Sequence, residues 1–269
     1  MLPRLLVLDI DGTLVGRKLQ ISPRVLHSVQ QAQNLGVQVA VATGRMYRAA
    51  LPYHRQVGSM LPLICYQGAL IKDPSDGKVQ LHCPVPIERT LEVIDFMEEQ
   101  QLIVHLYIND TLYVRSMTEA SERYGLRTGV EPQVVGDLRR ILTAEPTKIL
   151  GLTPDNLTTD RMLLKLRQRY LPEVLYLTKS DPTFVEVTNP AASKGNAVKF
   201  LAEEMLMISA AEVMAVGDQQ NDAEMIAYAG IGVAMGNAPV ALQTQATWVA
   251  PSVEEDGVAA AIEQFILSV

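Results

Sequence analysis

Cysteine is scarce in this 269-residue chain, with Cys65 and Cys83 the only two. A disulfide framework is excluded, and each thiol lies beside an apolar segment where it packs as a small hydrophobe, as expected in a reducing cytosol. Excess positive charge is missing too. Lys and Arg number 23 against 30 Asp and Glu, a net charge of −7, which argues against nucleic acid or an anionic membrane as partner. Such partners are held by clustered cations, whereas a small anionic substrate needs only local ones. Nowhere do about 18 apolar residues run together, the length of a membrane span. The N-terminal apolar run is short, ends in acids and has no small-residue cleavage site, so a cytoplasmic location is expected. Repeats, low-complexity tracts and long linkers are absent, and nothing calls for an obligate protein partner. There is no Gly-x-x-x-x-Gly-Lys-Ser/Thr loop, and His27, His54, His82 and His105 lack ligand spacing.

What is present begins at residue 5. Leu5-Leu6-Val7-Leu8 has no polar alternation and reads as a strand covered on both faces, broken by Asp9-Ile10-Asp11-Gly12-Thr13. Two carboxylates therefore stand at the carboxyl end of a central strand, the edge where open α/β sheets bind ligands. A calcium loop also begins Asp-x-Asp. That reading fails because Leu14 stands where the loop needs Gly, Gln20 where it needs Glu, and a strand precedes the acids.

Ser22-Pro23 opens a helix over 23–35, Val37 to Ala42 is a second strand, and Leu61 to Tyr66 is a third. This alternation predicts a doubly wound, mostly parallel sheet. Pro74-Ser75-Asp76-Gly77 marks a hairpin, and Pro84 and Pro86 then interrupt the chain. Over 84–186 the rhythm changes to an α+β pattern with strands joined by short turns, and from 187 the α/β rhythm returns. We expect a catalytic core of residues 1–83 and 187–269 with an α+β domain of 84–186 inserted, its hinges near Pro84 and Asn189.

Several further groups fall at strand ends or helix starts. Thr43-Gly44-Arg45 follows the second strand, where a hydroxyl and backbone N–H groups make an anion-binding concavity; by itself it is also ordinary turn chemistry. Lys194 opens a helix, a poor place for a lone cation and a good one for an anion with a cation beside it. Gly217-Asp218-Gln219-Gln220-Asn221-Asp222 follows the buried run Val213 to Val216, so a second set of acids meets the first and makes a hard-cation site. Gly230-Ile231-Gly232 looks like a dinucleotide fingerprint, but its glycines follow a helix instead of opening one.

Asp9-x-Asp11-Gly12-Thr13, Thr43-Gly44-Arg45, Lys194 and Gly217-Asp218-x-x-Asn221-Asp222, in that order, resemble the four motifs of the haloacid-dehalogenase-like phosphohydrolases. Only residues 15 to 36 separate the first motif from the second strand, whereas 151 positions separate Thr43 from Lys194. That spacing resembles the Cof-type branch, whose cap is inserted late, as do Met235-Gly236-Asn237-Ala238 and Glu255-Asp256-Gly257-Val258. Gln67 departs from the Asn usual before Gly-Ala, and Gln219 from the usual small or polar residue.

The resemblance implies a Mg²⁺-dependent phosphatase of a small phosphorylated metabolite, a sugar phosphate or phosphorylated cofactor. Asp9 is then the nucleophile that forms an aspartyl phosphate, and Asp11 the acid and base. Thr43, Gly44, Lys194 and Asn221 hold phosphate. Asp9, the Asp11 carbonyl and Asp218 hold the metal, and Asp222 orients Lys194 or a metal-bound water. A phosphomutase using the same intermediate, or a catalytically silent binding protein on this fold, are the alternatives. In the inserted domain, Tyr107, Arg115 and Lys148 are the candidate substrate contacts.

Overall fold

The computed structural model describes residues 2–268. β1 (Leu5–Leu8) is buried along its whole length, as its unbroken apolar run requires. The Ser22 hydroxyl accepts from the Val25 N–H and starts α1 (Pro23–Asn34), with proline in the first turn. β2 (Gln38–Val41) returns parallel to β1, pairing Leu5 with Gln38 and Leu8 with Val41. After α2 (Tyr47–Gln56) comes β3 (Leu63–Cys65), which was expected to continue the parallel layer. It pairs instead antiparallel with β4 (Leu70–Lys72), itself paired with β5 (Val79–His82), and meets the layer only through one parallel bridge, Ala42 to Ile64. The cause is the sharp reversal at Tyr66-Gln67-Gly68, whose φ angles of 52°, 61° and 96° turn the chain back on itself.

The intervening stretch supplies α3 (Ile87–Glu99), β6 (Ile103–Ile108), β7 (Thr111–Val114), α4 (Glu119–Thr128), β8 (Gln133–Val134), β9 (Lys148–Leu152), α5 (Asn156–Arg169), β10 (Tyr176–Thr178) and β11 (Phe184–Thr188). Its six strands run β10-β11-β9-β6-β7-β8 and are antiparallel except for the β7–β8 pair. Alternation splits the two faces. Val104, Leu106, Ile108, Ile149, Val185 and Val187 form one buried cluster with residues of α3 and α5. Tyr107, Leu112, Val114, Leu150 and Leu152 face the other way, into a cluster with Leu6, Leu8 and Tyr66 of the first layer. Lys148 and Glu186 lie on this second face, since Lys148 pairs with Tyr107 and Glu186 with Leu150. The two crossings of the chain are tied together where the Asn189 amide donates to the Pro84 carbonyl at 2.8 Å.

α6 (Lys194–Lys199) follows, then β12 (Val213–Gly217), α7 (Ala223–Tyr228), β13 (Ile231–Ala234), α8 (Val240–Gln243), β14 (Trp248–Val249) and α9 (Gly257–Ile262). The main sheet, β14-β13-β12-β1-β2, is wholly parallel. β1 and β12 are neighbours, so Asp9 and Asp218, each just beyond its strand, meet at the carboxyl edge.

Candidate active site

Asp9 sits at the floor of the cleft, its N–H bonded to the Val216 carbonyl at 3.1 Å. Lys194, at the first turn of α6, places its ammonium between Asp9 Oδ1 and Asp222 Oδ1, 2.6 Å from each. All three are buried. Asp222 spends its second oxygen on the N–H groups of Asp218 and Gln219, both at 2.9 Å, so it fixes the lysine and the loop together. Gly12 packs against Asp218: a Cβ there would fall 2.1 Å from Asp218 Oδ2, and φ is +82°. No other residue lets the first acidic turn approach the second so closely.

Negative charge is crowded here. Burial above all raises the Asp9 carboxyl well over its ordinary value; Lys194 opposes this, and the Asp222, Asp218 and Asp11 carboxylates add to it. Asp218 is pushed up to about 7 by burial and then by Asp222. Burial works against the Lys194 charge, yet Asp222 and Asp9 outweigh it and raise the lysine. One donor oxygen from each of Asp9, Asp218 and Asp222 lies within 4.8 Å of the others. Oxygen donors with unneutralised charge suit a hard divalent cation. Asp222 is committed to the Lys194 ammonium and to two backbone N–H groups, whereas Asp218 accepts only from the neutral Thr13, Gln219 and Asn237 side chains, so Asp9 and Asp218 are the candidate ligands.

The sequence places Asp11 beside Asp9, and the structure turns its carboxylate toward Arg45, whose Nε and Nη2 reach Asp11 Oδ2 and Oδ1 at 2.7 and 2.6 Å. Burial opposes the Arg45 charge, and the bonds to Asp11 reverse that and raise it. Thr43 is buried, and its hydroxyl accepts from the Arg45 N–H at 3.2 Å. Asp9, Asp11, Thr43, Gly44, Arg45 and Asn221 line one side of the cleft; Tyr124, Arg127, Lys148, Phe184 and Glu186 line the other.

Of the three residues expected from the inserted stretch, Lys148 reaches the cleft, donating to the Gly44 carbonyl at 3.2 Å and to Glu186 Oε1 at 3.1 Å. Tyr107 lies beneath the wall, its hydroxyl donating to that of Tyr124 at 2.6 Å. Arg115 is a correction. It follows Val114, which faces the main sheet, so alternation carries it to the opposite face, where it pairs with Glu98 at 3.3 Å and lies off the cleft. Arg45 and Glu186 were missed as site residues. Arg45 was visible as the third residue of its motif, and Glu186 as a lone acid between Val185 and Val187 in a strand whose alternate face is buried.

Parallel α/β layering, a strand-edge carboxylate cluster and a buried lysine define a hydrolase-like site at the edge of a doubly wound sheet. A family model described as haloacid dehalogenase-like hydrolase matches residues 6–262, and the chain belongs to that family. It is 26% identical over 267 residues to 5-amino-6-(5-phospho-D-ribitylamino)uracil phosphatase YitU of Bacillus subtilis, covering 98% of this chain and 97% of that one. It is 27% identical over 279 residues to phosphatase YwpJ of the same organism, covering 95% and 97%. Among solved structures, a haloacid dehalogenase-like hydrolase from B. subtilis matches with a TM-score of 0.87 at 26% identity, covering 98% of this chain and all of the other.

Proposed function

We propose that this chain is a phosphatase that hydrolyses a small phosphorylated metabolite through an aspartyl phosphate on Asp9. The observation that carries the reading is the Asp9–Lys194–Asp222 bridge beside Asp218: a buried carboxylate with an ammonium on one oxygen, next to a site fit for a divalent cation. Mg²⁺ would be held by Asp9, Asp218 and the Asp11 carbonyl, and when bound would screen repulsion between carboxylate and phosphate.

An Asp9 oxygen forms the new bond to phosphorus as the ester P–O bond breaks, and Asp11 gives its proton to the departing alkoxide. Water then attacks the same phosphorus, Asp11 takes the water's proton, and Asp9 leaves as a carboxylate with inorganic phosphate. Lys194, Thr43, the Gly44 region and Asn221 hold the phosphoryl oxygens, so charge stabilisation is the main work. Arg45 keeps Asp11 in a resting orientation until the phosphate offers it another anion. Residues 84–186 act as the cap that closes over this floor and sets the leaving group through Lys148, Arg127, Tyr124 and Phe184. A sugar phosphate or phosphorylated cofactor fits, in line with the substrate in the name of YitU.

The test is phosphate release from a panel of phosphomonoesters with Mg²⁺ and no acceptor alcohol, which also separates hydrolysis from mutase transfer. Wild-type protein should release phosphate, and Asp9→Asn should lower the rate by ~10⁴-fold or more, since a whole covalent step is lost. Activity unchanged in Asp9→Asn would assign it to another site.

A further inference from the structure

Gln67 is fully buried in the reversal between β3 and β4, at a left-handed φ of 61° that side chains other than glycine and asparagine adopt rarely. Its amide Nε2 donates to Glu186 Oε2 at 2.7 Å, and its Oε1 accepts from Asn221 Nδ2 at 2.8 Å. Glu186 Oε1 is occupied by Lys148 at 3.1 Å and Ser180 at 2.8 Å. The close approach depends on Gly44, where a Cβ would fall 2.4 Å from Gln67 Nε2.

The direction of this chain is forced. A carboxylate paired with an ammonium only accepts, so Gln67 must turn its NH₂ toward Glu186 and its oxygen toward Asn221. Asn221 must then turn its NH₂ toward Gln67. Its Oδ1 is left buried with no partner among the described residues. A buried amide oxygen without a donor is costly, so a group that fixes it there has a definite effect on the site.

We infer that Gln67 is a positioning residue: it carries the polarity of Glu186, on the inserted sheet, to Asn221 in the phosphate cleft, and so holds the Asn221 NH₂ in place with its second N–H left to donate to a phosphoryl oxygen. Glu186 comes from β11 and Gln67 from the β3–β4 reversal. The orientation of Asn221 is therefore complete only while the inserted sheet is seated on the main one. When the seat opens, Gln67 loses the acceptor that orders it, and Asn221 is free to flip. The departure of Gln67 from the shorter Asn has a physical reason, since the longer side chain is needed to touch both partners. The consequence for phosphate rests on the proposed role of Asn221; the polarity of the chain does not.

Thermal melting of four variants of the full chain tests the polarity. Asn221→Asp sets acceptor against acceptor at Gln67 and should lower Tm by roughly 4–8 °C. Glu186→Gln should lower it at least as much, because the buried Lys148 ammonium loses its counter-ion although the shape stays. Combined, Asn221→Asp with Glu186→Gln can run the chain in reverse, with Gln67 donating to residue 221 and accepting from residue 186. That double variant should lose clearly less than the two single losses added together. Asn221→Asp with Glu186→Ala removes the same charge and supplies no amide, and should show no such recovery. Additive losses, or equal recovery with alanine and glutamine, would overturn the inference. As the functional arm, Gln67→Leu should weaken competitive inhibition by inorganic phosphate ~10-fold, while Gln67→Asn, too short for both partners, should not restore it. An unchanged inhibition constant in Gln67→Leu overturns the link to the cleft. Should wild-type protein release no phosphate from any ester, the phosphatase reading fails and the melting cycle still decides the polarity.

Discussion

Among the described residues two lysines are buried, and they are buried for different ends. Lys194 stands between two carboxylates, Asp9 and Asp222, with a third, Asp218, nearby, so its surroundings carry more negative charge than it neutralises. Lys148 faces one carboxylate, Glu186, and a carbonyl, and that pair is balanced. Burial opposes both lysine charges and the acids prevail in both, raising each. The difference lies in what remains. Around Lys148 the charge closes within the protein, as in a structural pair; around Lys194 it leaves a deficit that a divalent cation would fill, as a phosphate site requires.

Removing each ammonium breaks the comparison most directly. Lys194→Met should cut kcat ~10³-fold or more, because a cation on the transferring phosphoryl group is lost along with the partner of Asp9. Stability should fall by about 3–5 kcal/mol unless the stranded acids take up a proton, and urea unfolding at two pH values reads that difference. A variant with near-normal kcat would sink the assignment of Lys194 to the phosphate.

The deficit itself has a pH signature. With no cation bound, burial and then the Asp222 carboxylate push Asp218 up to about 7 in the folded state, against an ordinary value of 3.8. Between those values the native state holds a proton that the unfolded chain has released, so stability should fall as pH rises from about 4 to about 7 and then level off. Asp9, also raised, adds in the same direction. Mg²⁺ binds the deprotonated acids, so the stabilisation it gives should grow over the same range. Melting temperatures measured with chelator and with Mg²⁺ from pH 5 to 8 should diverge upward in pH; parallel curves would mean that no cation site is present.

Lys148→Met should have a smaller and differently placed effect. Glu186 keeps Ser180 and Gln67, at 2.8 and 2.7 Å, and loses its ammonium, so a loss of about 2–3 kcal/mol is expected. Chemistry at Asp9 should persist, with KM for a natural-sized substrate rising more than kcat falls. If kcat collapsed as far as in Lys194→Met, the division of labour between the two lysines would be wrong.

The contrast between the lysines also explains what the sequence made legible. Asp9, Lys194 and Asp218 each lie at a strand or helix end whose apolar run or cap is local, so their convergence follows from the topology of a parallel sheet. β8 and β14, two residues each, carry too little periodicity to be seen, and α8 has one turn. β3 reads as a parallel strand by its apolar run, and only the left-handed reversal at Tyr66 and Gln67 sends it into a hairpin sheet. Lys148 and Glu186 form a pair only through the β11–β9 register, a long-range fact that no local pattern holds. Alternation beyond β7 has a like effect: Val114 faces the main sheet, so Arg115, one residue on, is turned off the cleft.

Arg115 supplies the smallest expected effect and the control for the others. It is exposed, and its partner Glu98 offers Oε1 to it at 3.3 Å while Oε2 stays bound to Arg139 at 2.7 Å. Losing one exposed pair out of two that share a carboxylate is worth at most about 0.5 kcal/mol. Arg115→Ala should therefore leave kcat, KM and the Mg²⁺ response unchanged and shift unfolding by no more than that. A rise in KM comparable to that of Lys148→Met would mean that the residue following β7 reaches the substrate after all, and would move the leaving-group pocket to the opposite face of the inserted sheet.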